Sequence, residues 1–495
     1  MQIGLVTDPY SELRADALIT YVFDTEHKFD DVLGDINREM NGRLEALAAS
    51  GELNGKPLEL VLVHFPQGMA AQRLLLVGAG KPAKFSVADL RKIAGSALRH
   101  LKARGAGRLV FLAREGQRGP EAAQAVVEGL IAADFESDKY RSEKKKQEVE
   151  SVSLAGFDAG AGGDLIAAVE QGRVIAESQN FARDLINEPS NRLTPRMLAA
   201  RAESMAKEAG LGIEILDERR IAELKMGALI GVAQGSFEPP RVIVMRYTPT
   251  NVRPGGPVLG LVGKAVTFDT GGISIKPANN MEKMKYDMGG GATMLGVMRA
   301  LSALKPSVPV IAVIPATENM PGGRAQKPGD VQVSMSGKTI EVINTDAEGR
   351  LILADGIFYA RKLGCTHLID AATLTGAIEV ALSNVNVGVF GTPREYLDRF
   401  LASAKAVGEK MWPMPIDEEY EEMIKSNIAD IRNTGSGKGG GAITAAWFLK
   451  EFTDDTPWIH LDIAATCWLD EGRPWLAKGP TGVAIRSIID FAMKM

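Results

Sequence analysis

The run VLGLVGKAVTFDTGGISIKPANNMEKMKYD, Val258 to Asp287, opens as an apolar strand and ends in charge. A strand over 258 to 268 that is nearly all apolar reads as buried on both faces of a sheet. At its end and just beyond come Lys264, Asp269, Lys276, Lys283, Lys285 and Asp287. A second run, VINTDAEGRLILADGI from Val342 to Ile357, carries Asp346, Glu348 and Arg350 where a strand exits and a helix begins. Ligands of open α/β sheets sit outside the carboxyl ends of the strands. The two runs therefore point to one fold class and to one region of chemistry.

Working outward, strands at 212–217, 241–247, 258–268, 308–316, 340–344, 367–372 and 458–463 alternate with helices near 289–304, 349–363, 395–408 and 441–453. That alternation predicts an α/β domain with helices on both faces of a mixed sheet. Upstream, an amphipathic helix over Gly163 to Asn187 ends at NEPSNRLTP, where Pro189 stops one helix and Thr194-Pro195 starts the next. Residues 1 to 135 repeat the α/β pattern on a smaller scale, with strands at 18–23, 58–65, 73–77 and 108–112 and helices at 30–49, 87–103 and 120–133. The segment DKYRSEKKKQEVE, 138 to 150, is charged at nine of thirteen positions and reads as solvated linker. The expected division is a smaller N-terminal α/β domain, 1–165, and a larger C-terminal α/β domain, 166–495.

A chain of 495 residues, 45% hydrophobic and 24% charged, is neither disordered nor fibrous. Its net charge of -5 advertises neither nucleic acid nor an anionic membrane. Cys365 and Cys467 cannot form a disulfide framework. MQIGLVTDPY lacks the features of a signal peptide, and the longest apolar run, Val308 to Ala316, is a strand rather than a membrane span. The expectation is a cytoplasmic protein. Two glycine-rich stretches, VGAGKP at Val77 and GSGKGGGAIT at Gly435, fail as phosphate loops because Pro82 and Gly439 stand where Ser or Thr must hold magnesium.

If Asp346, Glu348 and Arg350 continue an extended strand end, their spacing of two aims all three at one face. With Asp269 and Asp287 converging there, four carboxylates would share a site, and such a cluster calls for divalent metal. The histidines, His27, His64, His100, His367 and His460, lie outside both runs. On residues alone, a salt-bridge network at the strand ends stands level with a metal site.

NTDAEGRL at Asn344 to Leu351 resembles the signature of the leucyl aminopeptidase family, also called cytosol aminopeptidases, as found in bacterial members. The similarity continues in order through NEPSNRLTP, VGKAVTFDTGGISIKP, KYDMGGGA, IPATENMPGG, DAATLTGA and HLDIA, covering essentially residues 165 to 495. The N-terminal part is similar in its α/β pattern and in LLLVGAGK.

That resemblance implies a metallo-exopeptidase with two divalent ions, zinc or manganese, the more exchangeable site also taking cobalt or magnesium. It places metal ligands at Lys264, Asp269, Asp287, Asp346 and Glu348. Asp269 and Glu348 would bridge, Lys264 and Asp287 would complete the tighter site, and Asp346 the exchangeable one. A lysine ligand must bind as the neutral amine. Catalytic roles fall on Lys276, facing the developing oxyanion, and on Arg350, holding a bicarbonate that serves as general base. The resemblance further implies a substrate pocket of Met284, Asn344, Thr373, Leu374, Gly376 and Ala464, with Cys467 beside it. Short peptides with a free N-terminus, leucine preferred, would be substrates of a homohexamer, with an oligomerisation or regulatory role for residues 1–165 and no membrane partner. A DNA-binding regulatory role, additional or primary, is the alternative implied by some bacterial members. A two-metal phosphoesterase is a second rival.

Overall fold

The computed structural model describes residues 1–26, 29–143, 147–158, 160 and 162–495. His27 and Lys144 to Lys146 of the charged segment lie outside the described residues. The chain forms two compact units, Met1–Asn180 with Asp470–Lys478, and Phe181–Leu469 with Gly479–Met495. The division falls inside a continuous helix rather than at 165, because an unbroken amphipathic helix offers no change of composition to mark it.

In the first unit, strands β1 (Gln2–Leu5), β2 (Ala17–Phe23), β3 (Leu60–His64), β4 (Arg73–Gly80), β5 (Arg108–Leu112) and β6 (Ser151–Ala155) form a sheet of order β1-β6-β5-β2-β4-β3. All neighbours are parallel except β3 with β4. Side chains alternate across it. Ile19, Tyr21, Leu75 and Val77 pack beneath α3 (Val87–Lys102) and α4 (Pro120–Asp134). Leu18, Val22, Leu74 and Leu76 pack beneath α1 (Asp31–Glu39) and α2 (Arg43–Ala49), into which the single helix expected over 30–49 divides. The helix α3 starts at a capping box, with Ser86 and Asp89 satisfying each other's backbone donors.

The long helix α5 (Gly162–Asn187) is followed by α6 (Pro195–Ala209), β7 (Gly212–Leu216), α7 (Glu218–Glu223), α8 (Gly227–Ala233), β8 (Arg241–Tyr247), β9 (Leu259–Gly263) and β10 (Ala265–Asp269). Then come α9 (Gly289–Leu304), β11 (Val310–Asn319), β12 (Val331–Val333), β13 (Thr339–Glu341), α10 (Gly349–Lys362), β14 (His367–Ala372), α11 (Gly376–Leu382) and β15 (Val387–Thr392). The chain closes through α12 (Arg394–Ala406), β16 (Met411–Pro413), β17 (Ile431–Arg432), α13 (Gly441–Lys450), β18 (Trp458–Asp462), a small β19 (Trp468–Leu469) and β20 (Gly479–Pro480) pair, and α14 (Ile485–Met493).

The main sheet runs β16-β15-β18-β14-β9-β11-β8-β7, with β10 paired to β11. It is mixed, parallel through β18, β14, β9 and β11 and antiparallel at β8 and β15. Val262 lies against Gly356 of α10, and the adjacent Gly263 lies against Gly290 and Gly291 of α9. Adjacent strand residues point to opposite faces, so the two helices cover opposite sides of the sheet, as expected.

Three local readings are corrected. The strand expected over 258–268 breaks at Lys264 into β9 and β10. The strand expected at 340–344 is β13, which leaves the main sheet for a three-stranded one with β12 and β17. Strand β15 has no counterpart in the sequence reading, since two glycines in its six residues dilute the apolar pattern. No helix among the described residues is long and apolar enough to cross a membrane.

Candidate active site

The strand break at Lys264 turns its side chain out of the ladder and into the gap at the carboxyl ends of β9 and β14. Its backbone still bonds both sides, N–H to the Ala371 carbonyl and carbonyl to the Gly291 N–H. Asp269 ends β10, and Gly271 and Gly272, at φ +86° and +69°, reverse the chain so that Lys276 returns over it. A 3-10 segment, Met281–Met288, carries Met284 and Asp287 to the start of α9. Residues 345–348 form a turn ahead of α10, so Asp346, Glu348 and Arg350 do not lie along an extended strand. Asp346 and Glu348 converge through the turn, while Arg350 already belongs to the first turn of α10.

One cluster results. Lys264 Nζ lies 2.9 Å from Asp287 Oδ2 and 2.8 Å from Glu348 Oε1, and donates to the Thr373 carbonyl at 2.8 Å. Lys276 Nζ lies 2.8 Å from Asp269 Oδ2 and also pairs with Asp346. Oxygens of Asp269, Asp346 and Glu348 fall within 4.8 Å of one another. The approach of Lys264 depends on Gly349, where an added Cβ would stand 2.7 Å from Lys264 Nζ.

Burial and crowding shape the charges. Glu348 is pushed up to about 8, by burial first and by the neighbouring Asp269 next. Burial likewise raises Asp287 to about 6 and raises Asp346. Burial works against the Lys264 ammonium, but Asp287, Glu348 and Asp269 outweigh it and hold its pKa above the ordinary lysine value. The four carboxylates face two lysines, so the cluster is short of positive charge when all are ionised. Glu348 Oε1 and Asp287 Oδ2 share the one ammonium of Lys264, Asp346 Oδ1 meets only that of Lys276, and Glu348 Oε2 is buried with no donor among the described residues.

A family model described as cytosol aminopeptidase family, catalytic domain, matches residues 180–489, and the family's N-terminal domain matches 21–144. The chain belongs to the cytosol aminopeptidase family. It is 52% identical over 493 residues to a probable cytosol aminopeptidase of Solibacter usitatus, spanning 100% of this chain and 99% of that one. A tomato leucine aminopeptidase mutant superposes with a TM-score of 0.89 at 35% identity, covering 100% of this chain and 97% of the other. The bottromycin maturation enzyme BotP in complex with Mn gives 0.85 at 31% identity, covering 97% and 99%. The protein is thus an aminopeptidase of a metal-dependent family.

The acidic cluster fits divalent cations, because a deficit of positive charge and a buried carboxylate oxygen without a donor, Glu348 Oε2, are what such ions relieve. Arg350 is buried, its Nη1 donating to the Asn433 carbonyl at 2.7 Å while Nε has no hydrogen-bond partner among the described residues. Burial pushes it down to about 10. Among the pocket residues, Thr373 is tied to the cluster, its hydroxyl donating to Asp287 Oδ1 at 2.7 Å. The Asn344 side chain accepts from the Asp346 N–H at 2.9 Å and so supports the turn. Leu374 and Ala464 are half-buried, and Gly376 is exposed at the start of α11.

Three residues of the site were not singled out from sequence. Asn319 donates to Asp269 Oδ1 at 2.8 Å and to the Thr345 carbonyl at 3.1 Å. Thr345 donates to the Gly271 carbonyl at 2.6 Å. Asn433 binds the Ile343 N–H at 2.8 Å and the Asn344 carbonyl at 2.7 Å. Asn319 and Thr345 lie within the runs IPATENMPGG and NTDAEGRL, so their signal was present. Asn433 sits before a glycine-rich loop whose pattern says nothing of a partner ninety residues away.

Proposed function

We propose that the protein removes N-terminal residues, leucine preferred, from short peptides, using two divalent ions held by Lys264, Asp269, Asp287, Asp346 and Glu348. The observation that carries this is the convergence of four carboxylates on only two lysines, with Glu348 Oε2 buried and given no donor among the described residues. When bound, the ions, zinc or manganese, supply an activated water, polarise the scissile carbonyl and take the free α-amine, and bicarbonate supplies a proton acceptor. The chain's own groups do the rest. Lys276 sets an ammonium beside Asp269 and Asp346, ready to stabilise the negative charge that develops on the carbonyl oxygen. Arg350, its Nε without a hydrogen-bond partner among the described residues, would hold the bicarbonate. Asn433 fixes the guanidinium from behind. Met284, Thr373, Leu374, Gly376 and Ala464 would receive the first side chain, and methionine beside small residues suits a leucine-sized group. The assembly we propose is a cytoplasmic homohexamer, which light scattering would report as six chains.

The deciding experiment is metal analysis of the purified protein with hydrolysis of leucine amide before and after chelation. About two ions per chain, loss of activity on chelation and recovery on restoring metal are expected. N-acetyl-leucine amide should not turn over, because its blocked amine cannot bind an ion. Equal rates on blocked and free compounds would overturn the exopeptidase reading.

A further inference from the structure

The carboxylate of Asp462, 1% exposed at the end of β18, collects four donors from two stretches nearly ninety residues apart. Oδ1 accepts from the N–H groups of Leu374 at 3.2 Å, Thr375 at 3.4 Å and Ala464 at 3.3 Å. Oδ2 accepts from the Thr375 hydroxyl at 2.6 Å. The same hydroxyl accepts from the Ile378 N–H at 3.1 Å and so caps α11, which begins at Gly376. One side chain therefore grips the loop leading to Gly376 and the start of the loop bearing Ala464. These are two walls of the pocket proposed above.

The neighbouring residue is held differently. Thr373 is anchored through its carbonyl to Lys264 and through its hydroxyl to Asp287. The loop after β14 thus has two independent fixings. Thr373 belongs to the charged cluster, and residues 374–375 belong to Asp462. Loss of the second fixing leaves the first in place.

We propose that Asp462 is a positioning residue that sets the width of the pocket for the substrate's first side chain, by holding Leu374–Gly376 and Ala464 at a fixed separation. It touches neither the reacting atoms nor the ion-binding carboxylates. A pocket wall displaced by a fraction of an ångström changes how well a leucine side chain is held. It does little to glycine, which has none. The inference rests on the proposed aminopeptidase reading and its pocket.

The test compares leucine amide with glycine amide on the metal-loaded full-length enzyme, for wild type, Asp462→Asn and Ala464→Leu, with metal content and melting temperature measured alongside. Ala464→Leu fills the pocket directly and reports whether the pocket is where we place it. In Asp462→Asn the leucine-to-glycine ratio of kcat/KM should fall about tenfold or more, within the range one or two methylenes can command, with two ions per chain retained. If Ala464→Leu shifts the ratio and Asp462→Asn lowers both substrates equally or neither, the positioning role is wrong and the pocket stands. If neither variant shifts the ratio, the pocket itself is misplaced and the inference falls with it. Should Asp462→Asn fail to fold, Thr375→Val removes the 2.6 Å contact while leaving the carboxylate. It should reproduce the fall in the ratio, and Thr375→Ser, which keeps the hydroxyl, should restore it. A Thr375→Val enzyme with the wild-type ratio would overturn the proposal.

Discussion

Each α/β unit carries buried charge just beyond the carboxyl ends of its strands, and the two clusters are satisfied to very different degrees. In the first unit Arg114 follows β5 and meets Glu26 and Asp31, which follow β2. Its guanidinium donates to both Glu26 oxygens, at 2.8 and 2.7 Å, to Asp31 Oδ2 at 3.0 Å and to the Tyr21 carbonyl at 3.2 Å. The remaining demand is met by backbone, Phe23 N–H on Glu26 and Leu33 N–H on Asp31. All four carboxylate oxygens have donors. In the second unit Lys264 and Lys276 are shared among four acids, and Glu348 Oε2 is buried with no donor among the described residues. A rigid planar fork can saturate two carboxylates, whereas point charges on flexible stems cannot. The first cluster is complete as protein. The second keeps an excess of negative charge that further cations would relieve, and that contrast distinguishes an internal brace from the proposed reaction centre.

The sharpest way to break this contrast is to remove an acid from the second cluster. Glu348→Ala or Asp346→Ala should reduce activity to background and leave fewer than two ions per chain by metal analysis, while Lys264→Ala should weaken one site only. Full metal content and activity in either acid variant would make the second cluster a brace like the first.

Next in size are the two groups we assign to chemistry rather than to ion binding. Lys276→Ala should lower kcat by about 10² to 10³, and Arg350→Ala by roughly 10² to 10⁴, both with metal content intact. Bicarbonate added to degassed buffer should stimulate the wild type and the Lys276 variant but scarcely the Arg350 variant.

Arg114→Ala should act on the other half of the comparison. Leaving Glu26 and Asp31 buried without their cation should cost about 3 to 5 kcal/mol of stability in denaturant unfolding, with ion content per folded chain unchanged. A loss of metal instead would dissolve the distinction.

The smallest effect concerns a buried acid with no cation against it among the described residues. Asp355 of α10 is fully buried, accepts from the N–H groups of Leu229 at 2.9 Å and Met335 at 2.7 Å, and is pushed up to about 7 by burial. The folded state therefore holds this proton more tightly than the unfolded chain, whose aspartate titrates near ~3.9. Its contribution is fully present below about pH 4 and is lost as pH rises through about 7. Asp355→Asn cannot titrate, so its unfolding free energy should fall less between pH 5 and 8 than that of the wild type.

Much of the second unit was legible because its signals are local. The apolar run into Lys264, the turn and helix start at Asn344 to Arg350, and the alternation of elements follow from neighbouring residues. The convergence of Asp346 with Glu348 was anticipated for the wrong reason, an extended strand where the chain makes a turn. What stayed hidden was non-local. No spacing announces that Asn433 will meet Arg350 or that Asp462 will bind Leu374 and Ala464. The helix α5 concealed the division between units because a regular apolar stripe looks the same on either side of Asn180.

Gly349 shows that a site can depend on an atom being missing. It donates no ligand, carries no charge and lies in a helix, where alanine would ordinarily be the better residue. Yet a single methyl there would collide with the side chain of Lys264 along its last three atoms. In a saturation library selected for activity, this position should tolerate as little as the carboxylates beside it. A chart of intolerance along this chain would then record empty volume as faithfully as it records chemistry.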